Sequence, residues 1–471
     1  MIKPFITRLF PWAFLLLLGS LLTAMIFLPL SWGLMDDAQT LQLLKTSWKD
    51  ISIVGLLHRY SVNVIFRPVY IAYLYLCYGT FSNSPKLFYL FTLILVGLFL
   101  WPWTLILRRQ LPPQTRSIGS YFFGFLLLAS TPLYNLIVFL SLQEKFVIGF
   151  GGWALYALTS AQHEDRRSVR WWLWQCSGFT SFLLGVLAKP TTLAVAPWAF
   201  VSLVSDANAP KKQRAVWILA WATLSTVMGL VFLKRSDSYT SRYSTDIRGL
   251  VQSLGHQPTM VYLMAGLILV TILLIFLDWT KQKDLNARLA RFLWPCSLAC
   301  YLALLIPWGI ATYLWAPAMV MACGCIVLNT EIMIRLWPRL DPFFRNVVLP
   351  MSILMAAGVV FHVAIPRLSR QAEIGTTVRW LSSQWPDKDI DAYIMSPCTE
   401  AATALEIFTG NTQQVTVLNK GEPVSSTHAK RWLITRDECP IDTAHAAQFT
   451  QIVFELPHWK IYEARKNDNA R

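Results

Sequence analysis

Apolar runs of membrane length recur along most of this chain, and they restrict it to a bundle of helices in a bilayer. A hydrocarbon core about 30 Å thick needs about 20 apolar residues at about 1.5 Å each. In lipid every backbone polar group must be bonded within the chain, which leaves helices or closed barrels. The first run, Pro11 to Leu30, meets that length. Further membrane helices are expected near Leu87 to Leu107, Tyr121 to Leu140, Phe146 to Ser160, Trp172 to Leu187 and Thr191 to Val204. Others follow near Val216 to Leu233, Met260 to Leu277, Phe292 to Pro307, Ile310 to Leu328 and Val347 to Ile365. The total is about eleven. Hydrophobic residues make up 55% of the chain, charged residues 14%, and the mean hydropathy is +0.45, so one soluble core is excluded. The first run is long for a signal peptide core and many spans follow it, so it reads as an uncleaved helix.

The formal charge of +15 would point to nucleic acid in a soluble protein. Here the basic residues fall mainly in short loops between apolar runs, and nucleic acid is not an expected partner. Lys3 and Arg8 before the first span set the N-terminus in the cytoplasm. Threading the spans then gathers Arg108, Arg109, Arg116, Arg166, Arg167, Arg170, Lys211, Lys212 and Arg214 on the same side. Lys281, Lys283, Arg288, Arg291, Arg335, Arg339 and Arg345 join them. An odd span number leaves the C-terminal tail outside.

Two domains are expected, a transmembrane bundle over residues 1–365 and an external α/β domain over 366–471. Within the bundle, residues 31–86 form a first external loop. Leu41, Leu44, Trp48 and Ile51 there recur at helical spacing, as in a helix lying in the headgroup plane. Pro68 to Tyr78 is too short to span and carries Tyr70, Tyr73, Tyr75 and Tyr78, so it reads as interfacial or re-entrant. Residues 234–258 read as a polar external loop, long enough to act as a mobile flap. After Ile365 the pieces Ile390 to Met395, Glu400 to Phe408, Gln414 to Leu418, Trp432 to Thr435, Ile441 to Phe449 and Gln451 to Phe454 alternate in strand-like and helix-like fashion. Neither a dinucleotide-binding nor a Walker motif occurs among them.

Cys77, Cys176, Cys296, Cys300, Cys323 and Cys325 lie in or beside apolar segments and read as small buried hydrophobes. Cys398 and Cys439 stand in the polar tail, where an external location would allow a disulfide. The most informative polar residues are Asp36 and Asp37, just past the first span on the external side. Charge there is costly unless it faces water or performs chemistry.

Four local sequences, in this order, resemble those of the membrane-embedded GT-C glycosyltransferases, which take sugar from a polyprenyl-phosphate or dolichyl-phosphate carrier. Met35-Asp36-Asp37-Ala38 resembles their acidic first-loop motif. Phe66-Arg67-Pro68-Val69-Tyr70-Ile71-Ala72-Tyr73 resembles the stretch opening their juxtamembrane helix. Ser130-Thr131-Pro132-Leu133-Tyr134, running on to Gln143-Glu144-Lys145, resembles their second external loop with its acid. Leu187-Ala188-Lys189-Pro190-Thr191 resembles a turn between two later helices. The likeness covers roughly the first 200 residues, and beyond them only the architecture agrees. It departs from the family in offering one acid, Glu144, where some members have an Asp pair, and Pro190 where others place Glu.

The resemblance implies a bacterial inner-membrane enzyme of the cell envelope that glycosylates a glycan, lipid or protein acceptor. Asp36 or Asp37 would take the acceptor proton, with inversion at the anomeric carbon. Arg67, with Arg59, Lys86, Lys189 and His58 as further candidates, would hold the departing phosphate. Glu144 would orient the acceptor, assist the base or share a divalent cation, Mg or Mn, with the two aspartates. The plain readings remain open beside these: solvated acids at a helix end for Asp36 and Asp37, headgroup contact for Arg67, Lys86 and Lys189, and a surface pair for Glu144 with Lys145. The tyrosines near Pro68 then form an interfacial belt, and Trp308, Tyr313 and Trp315 pack. A transporter or flippase of lipid-linked glycans is the alternative function, and a non-catalytic scaffold the third.

Overall fold

The computed structural model describes residues 3–30, 67–81, 84–138, 142–165, 168–205, 211–240, 258–279, 289–305, 315–384, 390–395, 415–419, 424, 430–437 and 441–464. It is a helical bundle with a small C-terminal sheet. The helices are α1 (Lys3–Phe27), α2 (Pro68–Phe81), α3 (Pro85–Gln110), α4 (Arg116–Leu128), α5 (Thr131–Val138), α6 (Glu144–Ala161) and α7 (Val169–Ala188). A 3-10 turn, Pro190–Val195, leads into α8 (Ala196–Ser205). Then come α9 (Lys211–Thr240), α10 (Pro258–Asp278), α11 (Leu293–Leu305), α12 (Ala316–Leu336) and a continuous 47-residue helix, α13 (Pro338–Gln384), with two π turns.

Five of the described helices, namely α1, α3, α10, α12 and α13, are long and apolar enough to cross a membrane. The run read as one span over Tyr121 to Leu140 is bent by 74° between α4 and α5, and counting that pair as one gives six. The bend lies at Ala129 and Ser130, ahead of Pro132, whose ring disfavours a straight continuation. The outward faces of these helices carry Leu15, Leu16, Ile94, Leu98, Leu263, Leu269, Leu354 and Met355 in the open, as a lipid-facing surface requires. α2 is 14 residues long, short of a span. α9 continues to Thr240, into the stretch read as a loop from residue 234, and residues 241–257 lie outside the described residues.

Small residues set the packing inside the bundle. In α6, a Cβ on Gly149 would come 2.2 Å from the Phe99 ring, and one on Gly152 would come 2.5 Å from Trp103 Nε1. Glycine lets α3 lie close against α6, where the Trp103 indole N–H donates to the Ile148 carbonyl at 2.8 Å. Helix α7 covers the opposite side of α6, with Gly178 against Ala154 and Leu158. These contacts run α3 and α6 in the same direction, so the start of α6 lies level with the early turns of α3.

At the far end of the bundle, polar groups are gathered under the ends of α3, α10 and α12. Asp278 is fully buried and accepts from Arg291 and, at 3.0 Å, from Arg335. Gln110 joins the layer, accepting from the Trp294 indole at 2.8 Å and donating to the Ala290 carbonyl at 2.8 Å. A groove between α4, α12 and α13, lined by Gly119, Phe122, Val327, Thr330, Glu331 and Arg345, belongs to this same end.

The sheet has the order β2-β1-β3-β5-β4, from β1 (Ile390–Met395), β2 (Thr416–Leu418), β3 (Lys430–Arg436), β4 (Phe449–Leu456) and β5 (Trp459–Ala464). β1 is parallel to β2 and β3, while β5 runs antiparallel to β3 and β4. β5 lies beyond the last strand-like piece expected from the sequence, which ends at Phe454. The sheet packs on the last turns of α13, where Ile374, Val378 and Leu381 share a core with Leu433, Ile434, Trp459 and Ile461. One turn earlier, Leu368 and Ala372 of the same helix belong to the bundle core. The expected domain boundary at residue 366 thus falls inside a helix that serves both cores. A backbone N–H of His458 in the β4–β5 turn also donates to Glu373 at 3.3 Å.

Replacing Asp278 by alanine removes the buried acid that Arg291 and Arg335 share. The expected cost is about 3–5 kcal/mol. Thermal unfolding in detergent should show a large drop, while Asp341→Ala, in a partly exposed pair with Arg345, should change little.

Candidate functional site

The start of α6 and the end of α7 meet at one end of the bundle. Pro190 pushes the residue before it out of the helical region, and Lys189 accordingly takes φ −154° and ψ 119° and ends α7. Its N–H still donates to the Gly185 carbonyl at 2.8 Å. The chain then turns tightly, with Thr192 donating from both its amide and its hydroxyl to the Lys189 carbonyl, at 3.0 and 2.8 Å. Gly185 makes room for that turn, since a Cβ there would come 2.6 Å from the Thr192 methyl. The fold thereby fixes the Lys189 stem on both sides.

The Lys189 ammonium donates to the Glu144 carboxylate in a buried ion pair. Glu144 is 1% exposed and Lys189 9%. Glu144 opens α6, where the N-terminal dipole favours an acid. Burial pulls the Lys189 ammonium below its ordinary pKa, the Glu144 carboxylate opposes that pull, and the nearby Arg67 charge adds to it. Arg67 stands immediately before α2, and its carbonyl accepts the Ile71 amide at 3.1 Å. Tyr301 of α11, fully buried, lies within electrostatic reach of the Glu144 carboxylate.

Glu144 and Lys145 are not a surface pair, because both are buried and they turn to different neighbours. Lys145 is 0% exposed and holds its ammonium 5.1 Å from the centre of the Tyr73 ring and 6.0 Å from that of Phe146. Tyr70, Tyr73 and Tyr75 of α2 are likewise packed against the bundle. Tyr70 and Tyr73 meet the Phe146 ring edge-on at 6.2 and 4.9 Å, and Tyr73 stacks on Phe91 of α3. Trp315 is 2% exposed and belongs to the core.

Of the residues the sequence singles out, the structure brings together Arg67, Glu144 and Lys189. Lys86 sits in the first turn of α3 and makes no ion pair with a described residue. Asp36, Asp37, His58, Arg59, Cys398 and Cys439 lie outside the described residues, as do Trp308 and Tyr313. The other six cysteines are free thiols. Among the described residues no group of three His, Cys, Asp or Glu side chains could hold a metal ion. Sequence reading missed Arg367, which donates to the buried Asn135 of α5 and lies far along the chain from Arg67, Glu144 and Lys189.

No protein-family model matches the chain. No curated protein matches it. Among solved structures, ArnT from Cupriavidus metallidurans in the apo state is 13% identical, with 95% of this chain and 97% of that one covered at a TM-score of 0.50. The same protein bound to undecaprenyl phosphate gives 10% identity over 95% and 97%, again with a TM-score of 0.50. An oligosaccharyltransferase from Archaeoglobus fulgidus in the apo form is 11% identical over 85% of this chain and 65% of that one, at a TM-score of 0.45. The likeness to ArnT is one of fold, and it extends over the bundle and the C-terminal sheet together.

Removing either partner of the buried pair leaves the other charge uncompensated. Glu144→Gln and Lys189→Met are each expected to lower stability by about 3–5 kcal/mol, and the double variant to recover most of that loss. Thermal unfolding of the four proteins in detergent measures this.

Proposed function

We propose that this protein is a glycosyltransferase that moves a sugar from a polyprenyl-phosphate donor to an acceptor hydroxyl. The observation that carries the reading is the buried Glu144–Lys189 pair with the Arg67 charge beside it, at one end of a bundle with the ArnT fold. ArnT has been observed with undecaprenyl phosphate, and a lipid phosphate is the ligand such a cluster suits. The sugar leaves this carrier as its C1–O bond to phosphate breaks, so the protein must accept the acceptor's proton and stabilise the departing phosphate.

In this reading Asp36 or Asp37 takes the proton as the acceptor oxygen attacks the anomeric carbon, and a single displacement inverts its configuration. Arg67 meets the phosphate, with Lys189, Arg59, Lys86 and His58 as the other candidates to hold it. Glu144 is held by Lys189, which suits it to set the position of that cation and to orient the acceptor. A divalent cation shared by Asp36, Asp37 and Glu144 would have to compete with Lys189 for the same carboxylate. The acceptor is a glycan, lipid or protein.

The proposed topology has about eleven spans, with the N-terminus in the cytoplasm of a bacterial inner membrane and the C-terminal sheet outside. That places the Glu144 end of the bundle outward. In a background cleared of native cysteines, a cysteine at His458 should react with a membrane-impermeant maleimide in intact cells, and one at Arg116 should not. The reverse pattern would put the site on the wrong side.

Transfer is tested in membranes supplied with radiolabelled polyprenyl-phosphate sugars. Asp36→Asn or Asp37→Asn should lower kcat by about 100-fold or more, the usual contribution of a general base. Arg67→Ala should raise the donor KM by about tenfold, as expected for a lost charge-assisted hydrogen bond. If neither aspartate variant differs from wild type at equal membrane insertion, the proposed base is wrong.

A further inference from the structure

Lys145 is the one lysine among the described residues whose side chain is wholly inaccessible, and the transfer chemistry above does not use it directly. Lysine is rarely fully buried, and a first helical turn is where the dipole least favours a cation. A residue that breaks two local rules in one place needs a compensating role. Its neighbours indicate the role. The ammonium lies over the Tyr73 ring at 5.1 Å, and the next residue, Phe146, meets Tyr73 edge-on with centroids 4.9 Å apart. Consecutive residues at the start of α6 thus hold two different elements: Glu144 holds the end of α7 through Lys189, and Lys145 with Phe146 holds α2 through Tyr73.

Helix α2 begins directly after Arg67, whose carbonyl accepts the first bond of the helix. Tyr73 is on the second turn and also stacks on Phe91 of α3. Any rotation or withdrawal of α2 would therefore move Arg67 relative to Lys189. The helix is only 14 residues long and does not span, so seating on its neighbours has to fix its position.

We propose that Lys145 is a positioning residue, which seats α2 through its cation–π contact with Tyr73 and so sets Arg67 beside Lys189 for binding of a lipid-linked phosphate. This rests on the glycosyltransferase reading for the identity of the ligand, but the seating itself is independent of it.

The experiment is a double-mutant cycle on the full-length protein in detergent, with undecaprenyl phosphate as the probe and hydrogen exchange of α2 as a ligand-free readout. Lys145→Met and Tyr73→Leu are each expected to weaken binding about tenfold, and the double variant no more than the worse single one, because both remove one contact. Lys145→Arg and Tyr73→Phe keep cation and ring and should stay within about threefold of wild type. In an Arg67→Ala background, Lys145→Met should have little further effect on binding. Amides of Pro68–Phe81 should exchange faster in Lys145→Met, with α6 and α7 still protected. Independent, multiplying effects of the two single variants, or unchanged exchange of α2, would overturn the proposal. If wild type binds no lipid phosphate while Lys145→Met still loosens α2 selectively, the seating stands and the functional reading fails.

Discussion

The ion pair between Glu144 and Lys189 is the contact on which the arrangement of this end of the bundle depends. Desolvating a carboxylate and an ammonium costs several kcal/mol for each ion, and only close pairing and further polar neighbours offset it. Here the two charges are the first residue of one helix and the residue just past another, so the pair also fixes how α6 and α7 end relative to each other. The backbone prepares both partners: Pro190 turns Lys189 out of the helical region, and the Gly185 gap admits the Thr192 turn beneath it. The Arg67 charge acts on the Lys189 ammonium from the start of α2, while Lys145, the next residue after the acid, turns to Tyr73.

Charge in this bundle is layered. One buried layer contains Glu144, Lys189, Lys145 and Arg67, and the other contains Asp278, Arg291, Arg335 and Glu331. Between them lie aromatic and small residues such as Phe99, Trp103, Gly149 and Gly152. Among the described residues, interior charge confined to the two ends fits a bilayer solvent, in which the middle of the bundle cannot hydrate an ion. The layer at the Asp278 end ties helices together, with each acid matched by arginine. The layer at the Glu144 end ties α2, α6 and the end of α7 together.

Helix α13 joins this end of the bundle to the sheet. Arg367 reaches from it to Asn135 on α5, one short helix before Glu144, and Glu373 accepts from the β4–β5 turn. The helix passes from one hydrophobic core to the other between Ala372 and Ile374 with no linker.

The apolar runs alone made this a helical membrane protein, because period and length follow from the hydrocarbon thickness and need no tertiary information. The α/β tail was legible for a similar reason, since β1, β2 and β3 are short β-rich runs between polar stretches. Lys189-Pro190 and Glu144 stood out as charges at the ends of apolar runs, and Arg67-Pro68 as a helix start. Their partners were not legible. Glu144 precedes Lys145 directly, and adjacency suggested a pair, yet residues i and i+1 on a helix face different neighbours. Which lysine meets the acid was decided by the packing of α6 on α7, and which ring meets Lys145 by the seating of α2. The 74° break between α4 and α5, the role of α13 in two cores and the reach of Arg367 to Asn135 also depend on contacts across long separations. The sequence by itself determined the solvent, the class of architecture and the residues where charge is costly. Only the tertiary structure decided how those charges are matched, because each buried charge finds its partner on another helix, and helix packing is set by side-chain shape that no local pattern records.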